Sequence, residues 1–142
     1  DVLVASSHDC AALLGLTAVL PAGESLSAQL FNAFPNLTHH ACTNREIISA
    51  SHHRWSAMLF NGQKLWASQP YEITHIVDRI GGGDAFTAGL IYGLRSKLPL
   101  DEVLNFATAA GCLKLSVVGD NNLMSVHEVK ALYKSNERAI NR

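Results

Sequence analysis

Asp78-Arg79-Ile80-Gly81-Gly82-Gly83-Asp84, followed by Ala85-Phe86-Thr87-Ala88-Gly89-Leu90-Ile91-Tyr92-Gly93, carries the signal that decides the fold class. Three successive glycines let the backbone turn tightly and bring bare N–H groups close to a ligand. From Asp84 to Leu94 the pattern is helical, with Ala85, Ala88 and Gly89 making one side small. A helix that starts directly after the glycines adds a partial positive charge and free donors, so loop and helix start form an anion hole. Such a hole suits the negative charge on a phosphoryl group in flight. Asp84, in the first helical turn, is placed to accept the proton of an attacking hydroxyl while Gly81, Gly82 and Gly83 hold the phosphate. The same residues also read as a glycine-rich turn with an aspartate N-cap, and taken alone the two readings weigh evenly. No Lys-Ser or Lys-Thr follows the glycines, so this is not a Walker A loop.

Outward from this segment, strands and helices alternate. Val2 to Ala5 is a Val-rich apolar run that reads as a short buried strand. Ser6 or Ser7 can cap a helix over His8 to Leu14, with Gly15 as its stop. Leu26, Leu30 and Phe34 share one face of a helix over Ser25 to Phe34, which Pro35 ends. Strands are expected at Leu37 to Thr43, Trp55 to Phe60 and Lys64 to Ala67, with Asn61-Gly62 as the turn of a hairpin. Trp55 and Trp66 flank that hairpin and are expected to pack across it. After the break at Pro99, a long helix over Asp101 to Ser116 buries Val103, Leu104, Ala107, Ala110, Gly111 and Leu115. Ser125-Val126-His127-Glu128 fits a capping box for a last helix to about Tyr133, and the polar tail from Lys134 to Arg142 reads as loose. This order implies an α/β domain with a mostly parallel sheet flanked by helices.

The bulk properties agree. A chain of 142 residues suits one domain, and 48% hydrophobic with only 16% charged residues is a globular composition with much buried surface. Eleven basic against twelve acidic residues give no basic excess for nucleic acid or an anionic membrane. Apolar stretches such as Ala11 to Leu20 fall short of the ~20 residues of a membrane span. No basic region precedes the first apolar run, which argues against a signal peptide. Cys10, Cys42 and Cys112 are odd in number and far apart, as expected of reduced, buried thiols in a cytoplasmic protein. The opening directly in a strand-like run suggests a piece of a longer protein.

The stretch Asp78 to Gly93 closely resembles the carboxy-terminal signature of the ribokinase-like (PfkB) carbohydrate kinases. The Asp78-Arg79 form and the run Gly89-Leu90-Ile91-Tyr92-Gly93 are most similar to the 2-keto-3-deoxygluconate kinase subgroup. Trp55-Ser56-Ala57 with Asn61-Gly62, Tyr71-Glu72-Ile73, Ile76-Val77-Asp78, Ala109-Ala110 through Cys112-Leu113-Lys114, and Gly119-Asp120-Asn121-Asn122 before Ser125-Val126 extend the likeness over nearly the whole chain. The resemblance implies a Rossmann-like core that binds ATP with Mg²⁺ and phosphorylates a hydroxyl of a sugar or sugar acid. It matches Asp84 to the catalytic base in contact with substrate, and Gly81, Gly82 and Gly83 to the anion hole. It makes Thr43, Arg45, Gly111 and Asn122 candidates to line the nucleotide site, although none has a distinctive spacing and each also reads as a packing or loop residue.

Two departures stand out. Where the family carries an Asn-x-x-Glu type motif, this chain has Ser6-Ser7-His8-Asp9, so Asp9 is the candidate for the metal and Ser6 stands in for the Asn. The family's amino-terminal half, with the sugar-binding motif and lid strands, has no counterpart here, so the domain over residues 1–142 is expected to be incomplete. Expected partners are ATP and a small sugar or sugar acid, with association with further copies left open. Alternative readings are a nucleotide-binding fragment without catalysis, an assembly part that pairs through an exposed sheet edge, or a kinase for another sugar such as fructose or ribose. The adjacent pairs His39-His40 and His52-His53 are poorly set for chelation if they lie in strands, because neighbours point to opposite faces.

Overall fold

The computed structural model of the chain describes residues 1–18, 21–135 and 139–140. The chain opens with β1 (Val2–Val4), α1 (Ser7–Leu13) and α2 (Glu24–Ala33), then returns as β2 (His39–Ile47), parallel to β1 with Val2 opposite His39. Ser6 caps α1 through a reciprocal capping box with Asp9, which satisfies two of the free N–H groups at that helix start. β3 (His53–Phe60) runs back antiparallel along β2, with Thr43 opposite Ala57 and Arg45 opposite Trp55. Asn61 accepts from the N–H groups of Gln63 and Lys64, and so closes the expected hairpin into β4 (Leu65–Ala67). β5 (Tyr71–Ile73) pairs with the start of β3. α3 (Gly82–Arg95), α4 (Leu100–Lys114), α5 (Val126–Lys134) and β6 (Ala139–Ile140) complete the order.

The sheet runs β1-β2-β3-β5-β6, with β4 attached to β3. It is mixed, whereas the sequence reading favours a mostly parallel sheet: among the described residues only β1–β2 and β5–β6 pair in parallel. The reason is connection length. Short turns can join only antiparallel neighbours, and a parallel return needs a crossover such as α1–α2. Helices cover both faces, as expected.

On one face Ala41, Ala57 and Leu59 pack with Phe86, Leu90, Val103, Leu104 and Ala107 of α3 and α4. The two helices approach closely at Gly89, where an added Cβ would stand 2.9 Å from the Ala107 Cα. Phe86 is fully buried in this cluster, and its truncation to Ala would cost about 3–5 kcal/mol. Farther along this face Trp55, Tyr71 and Ile73 meet Phe106, Ala109, Leu113 and Val129. On the opposite face Cys42, Met58 and Phe60 pack on Phe31, and Cys10, Leu26 and Leu30 form a smaller cluster under α1 and α2.

His40 is fully buried on that second face, with Nδ1 2.8 Å from Ser27 Oγ and Nε2 3.4 Å from Cys10 Sγ. Ser27 donates to the Gly23 carbonyl, which leaves its oxygen to accept from His40 Nδ1–H, while Nε2 faces the Cys10 thiol. Burial holds His40 below the usual histidine range and pushes Cys10 up to about 11. Neither histidine pair forms a metal cluster among the described residues.

Two further expectations change. Trp55 pairs with Arg45 and Tyr71, and Trp66 pairs with Leu59, so the two indoles are not cross-strand neighbours. The tail is not wholly loose: β6 adds to β5 in parallel, with Ile140 buried in the main core. Residues 136–138 and 141–142 of that tail lie outside the described residues.

Candidate active site

The three glycines form the turn into α3. Gly81 is the N-cap, with φ +81°, a backbone that side chains rarely adopt. The first intrahelical bond runs from Ala85 N to the Gly81 carbonyl at 2.9 Å. The N–H groups of Gly81, Gly82, Gly83 and Asp84 are therefore the unpaired end of the helix. Among the described residues no side chain caps them. This differs from α1 and α5, where serine capping boxes close the helix start. Gly83 is exposed, with nothing within 4 Å of the place a Cβ would take, so the outer side of the turn is open. Asp84 is the third residue of α3 and exposed, and its carboxylate makes no hydrogen bond or ion pair among the described residues. A free carboxylate thus stands beside free backbone donors, which is the pairing needed to take a proton and hold an anion.

The turn rests on a second loop. Val77 N and Asp78 N both donate to the Leu115 carbonyl, at 2.9 and 3.3 Å. The Asp78 carboxylate accepts from Ile80 N at 3.0 Å and from Gly119 N at 2.9 Å, and so staples the two loops together. These two N–H groups hold Asp78 below the usual carboxylate range, and the charge of Lys114 adds to the effect. A Cβ on Gly81 would stand 2.7 Å from the Asp120 carbonyl, and one on Gly82 2.9 Å from the Trp55 ring. Arg79 donates to the Ala50 carbonyl and Ile76 N to the Ser51 carbonyl, which tie the β2–β3 connection to the same place.

Sequence reasoning missed this support. Lys114 is fully buried, yet it sits on the apolar stripe Val103, Ala107, Ala110 of α4. A lysine on that helical period was the available signal. Trp55 lies under Gly82 and Gly111, and neither its Nε1 nor either ring nitrogen of buried His53 has a partner among the described residues. Burial and the charges of Arg45 and Arg79 push the His53 imidazole below its usual range.

The other nominated residues are spread around this centre. Arg45 is exposed and directly opposite Trp55, hence close to the turn. Thr43 lies two residues along β2, at the edge of an open cleft of 660 Å³ that Ser7, His8 and Ser68 also line. Gly111 is buried against the Gly82 carbonyl and reaches no surface. Asn122 is exposed at a shallow groove between α3, α4 and α5, and its side-chain oxygen accepts from Met124 N. Asp9 is exposed on α1, where Oδ2 accepts from the Ser6 hydroxyl at 2.6 Å and from Ser6 N at 3.1 Å. The Ser6 hydroxyl, then its N–H, holds Asp9 below the usual range. Among the described residues no three His, Cys, Asp or Glu side chains gather as a metal cage, and no helix is long and apolar enough to cross a membrane.

The family model of the pfkB carbohydrate kinases matches residues 51–127, more than half of the chain, including the glycine turn and the Gly119 loop that supports it. The chain belongs to the pfkB family of carbohydrate kinases. Over its whole length it is 28% identical to a Haloferax volcanii 2-dehydro-3-deoxygalactonokinase, of which it covers 41%. The fold superposes on a PfkB family carbohydrate kinase from Listeria grayi with a TM-score of 0.87 at 33% identity, covering 95% of this chain and 41% of that one. A 2-dehydro-3-deoxygluconokinase from Thermotoga maritima gives 0.85 at 34% identity, covering 95% of this chain and 42% of that one. The chain therefore spans about two fifths of the length of these pfkB relatives. The mixed sheet with helices on both faces is the ribokinase-like architecture those structures share.

Proposed function

We propose that residues 1–142 are the nucleotide-binding and catalytic carboxy-terminal portion of an ATP-dependent kinase that phosphorylates 2-keto-3-deoxygluconate on a hydroxyl. One observation carries this reading: the unpartnered Asp84 carboxylate on the first turn of α3, beside the uncapped N–H groups of Gly81 to Gly83. Asp84 contacts the acceptor hydroxyl and takes its proton as the oxygen attacks the γ-phosphorus. The N–H groups receive the equatorial oxygens, over which the charge of the transferred phosphoryl is spread, while the electron pair of the breaking bond goes to the leaving phosphate oxygen. Family membership and the names of the Haloferax and Thermotoga relatives support a sugar-acid acceptor.

Thr43, Arg45 and Asn122 are proposed to line the nucleotide site, with Arg45 the one able to meet a phosphate by charge; Gly111, buried against the Gly82 carbonyl, supports the turn from behind and touches no ligand. Asp9 keeps Oδ1 free of its capping box, which fits a magnesium ion held mainly by nucleotide phosphates and water with one or two carboxylates at most. Bound there, the ion would neutralise charge between the nucleotide phosphates. Arg79 serves to anchor the β2–β3 connection.

The test is ADP release by the intact protein with MgATP and a panel of acceptors: 2-keto-3-deoxygluconate, its galactonate epimer, fructose and ribose. Turnover is expected with a 2-keto-3-deoxy sugar acid, and Asp84→Asn should lower it about 10²- to 10⁴-fold with an unchanged melting temperature. No turnover with any acceptor, or an active Asp84→Asn variant, refutes the reading.

A further inference from the structure

Lys114 ends α4 and is fully buried. Lysines are almost never this buried unless they are paired. Among the described residues Lys114 forms no ion pair, and its Nζ donates to the Val117 carbonyl at 3.2 Å. Its Cε lies 3.2 Å from the place a Cβ on Gly81 would take. The ammonium is therefore set directly behind the N-cap of α3, where the helix end is itself positive. Two positive ends brought together out of water oppose folding unless negative charge is held nearby. Asp78 supplies some of it, but among the described residues it forms no ion pair with Lys114 and its oxygens accept from Ile80 N and Gly119 N instead. The outer side of the turn, at exposed Gly83, is where a further anion can approach.

We propose that Lys114 is a positioning residue for phosphoryl transfer, which stabilises, through the backbone at Gly81, an anion seated on the N–H groups of the Gly81–Asp84 turn. Lys114 does not touch the transferred group. It fixes the Val117–Asp120 loop against the turn and adds a buried positive charge behind donors that already point outward. This inference rests on the kinase reading above. It adds that the hole is charged from behind by a side chain on a different helix.

Lys114→Met keeps the apolar stem and removes the charge; Lys114→Ala leaves a space that a small ammonium ion can fill. With the intact protein, MgATP and 2-keto-3-deoxygluconate, Lys114→Met should lower kcat about 10- to 100-fold, the scale of residues one layer behind a reacting group. The KM for the sugar acid should stay within about threefold, as expected when the lost interaction belongs to the transition state. Methylammonium should raise the turnover of Lys114→Ala by about fivefold or more, while choline at equal ionic strength should not, because only the small cation fits the vacated space. A kcat within about threefold of wild type in Lys114→Met, or no recovery with methylammonium in a folded Lys114→Ala, overturns the proposal. Calorimetric binding of inorganic tripolyphosphate separates this proposal from the kinase reading. About 10-fold weaker binding by Lys114→Met supports the lysine role even if no acceptor is turned over, and unchanged binding overturns it even in an active kinase.

Discussion

Gly81 and Gly83 are two residues apart in one turn, and replacing each by Ala should have opposite effects on stability. At Gly81 the new side chain must take φ near +81°, at about 1–2 kcal/mol for an L-residue. Its Cβ would also stand 2.7 Å from the Asp120 carbonyl, a backbone atom that cannot swing away, which adds about 1–3 kcal/mol of overpacking. The sum is about 2–5 kcal/mol of destabilisation. For a chain of this size that is roughly 6–20 °C in melting temperature. At Gly83 the backbone is helical and nothing lies within 4 Å of the Cβ position, so Ala should gain roughly 0.5–1 kcal/mol from helix propensity. Its methyl group nevertheless stands on the open side of the turn, where a phosphoryl group would approach. Gly83→Ala should therefore melt at or above wild type while losing about 10-fold or more in turnover. Circular-dichroism melts of the two variants, with ADP release measured on the same samples, decide the matter. If Gly81→Ala melts within a degree or so of wild type, or Gly83→Ala falls as far as Gly81→Ala, then the geometry of the turn is not what this reasoning holds it to be.

Three further outcomes follow from the support around the turn. Asp78→Ala should lower the melting temperature at neutral pH. Because the folded carboxyl lies below its ordinary value of 3.8, that contribution is present above 3.8 and is lost as the pH falls through the folded value, so the gap to wild type should close in acid. Ile140→Ala should cost about 2–4 kcal/mol in urea denaturation, since Ile140 is buried in the main core; a null effect would mean that β6 does not pair with β5. All three cysteines are buried, burial raises Cys10 to about 11 and raises Cys112 further, so a thiol reagent at mild alkaline pH should label them only after denaturation.

Features with local causes were legible in the sequence. The Ser125–Glu128 capping box, the Asn61-Gly62 hairpin and the helix start after Gly81 each depend on residues within a few positions of one another. The placement of Asp84 beside free backbone donors was legible for the same reason, since both come from one short segment. What was not legible depends on partners distant in sequence. Ile140 gives no strand signal by itself and becomes a strand residue only because β5 offers an open edge and the core an apolar seat. Trp55 and Trp66 look like neighbours from the hairpin, but the register sets Trp66 against Leu59 and leaves Trp55 to β2 and β5. Asp78 reads as one letter of a motif, and its work as a staple depends on Gly119, 41 positions away. Lys114 has the period of a core residue and the chemistry of a surface one, and only the loop folded over it reconciles the two.

The link between β2 and β3 is a tight connection in which the N–H groups of Ile48 and Ser49 both donate to the His52 carbonyl. Such connections are the usual places where peptides can be grafted or chains cut without harm. Here Ala50 and Ser51 give their carbonyls to Arg79 and Ile76, on the approach to the glycines. A graft or a nick between Ser49 and Ser51 would therefore slacken the segment that presents Asp84. Protein engineers and evolution alike should find this hairpin closed to insertions, although it lies some thirty positions before Asp84 in sequence.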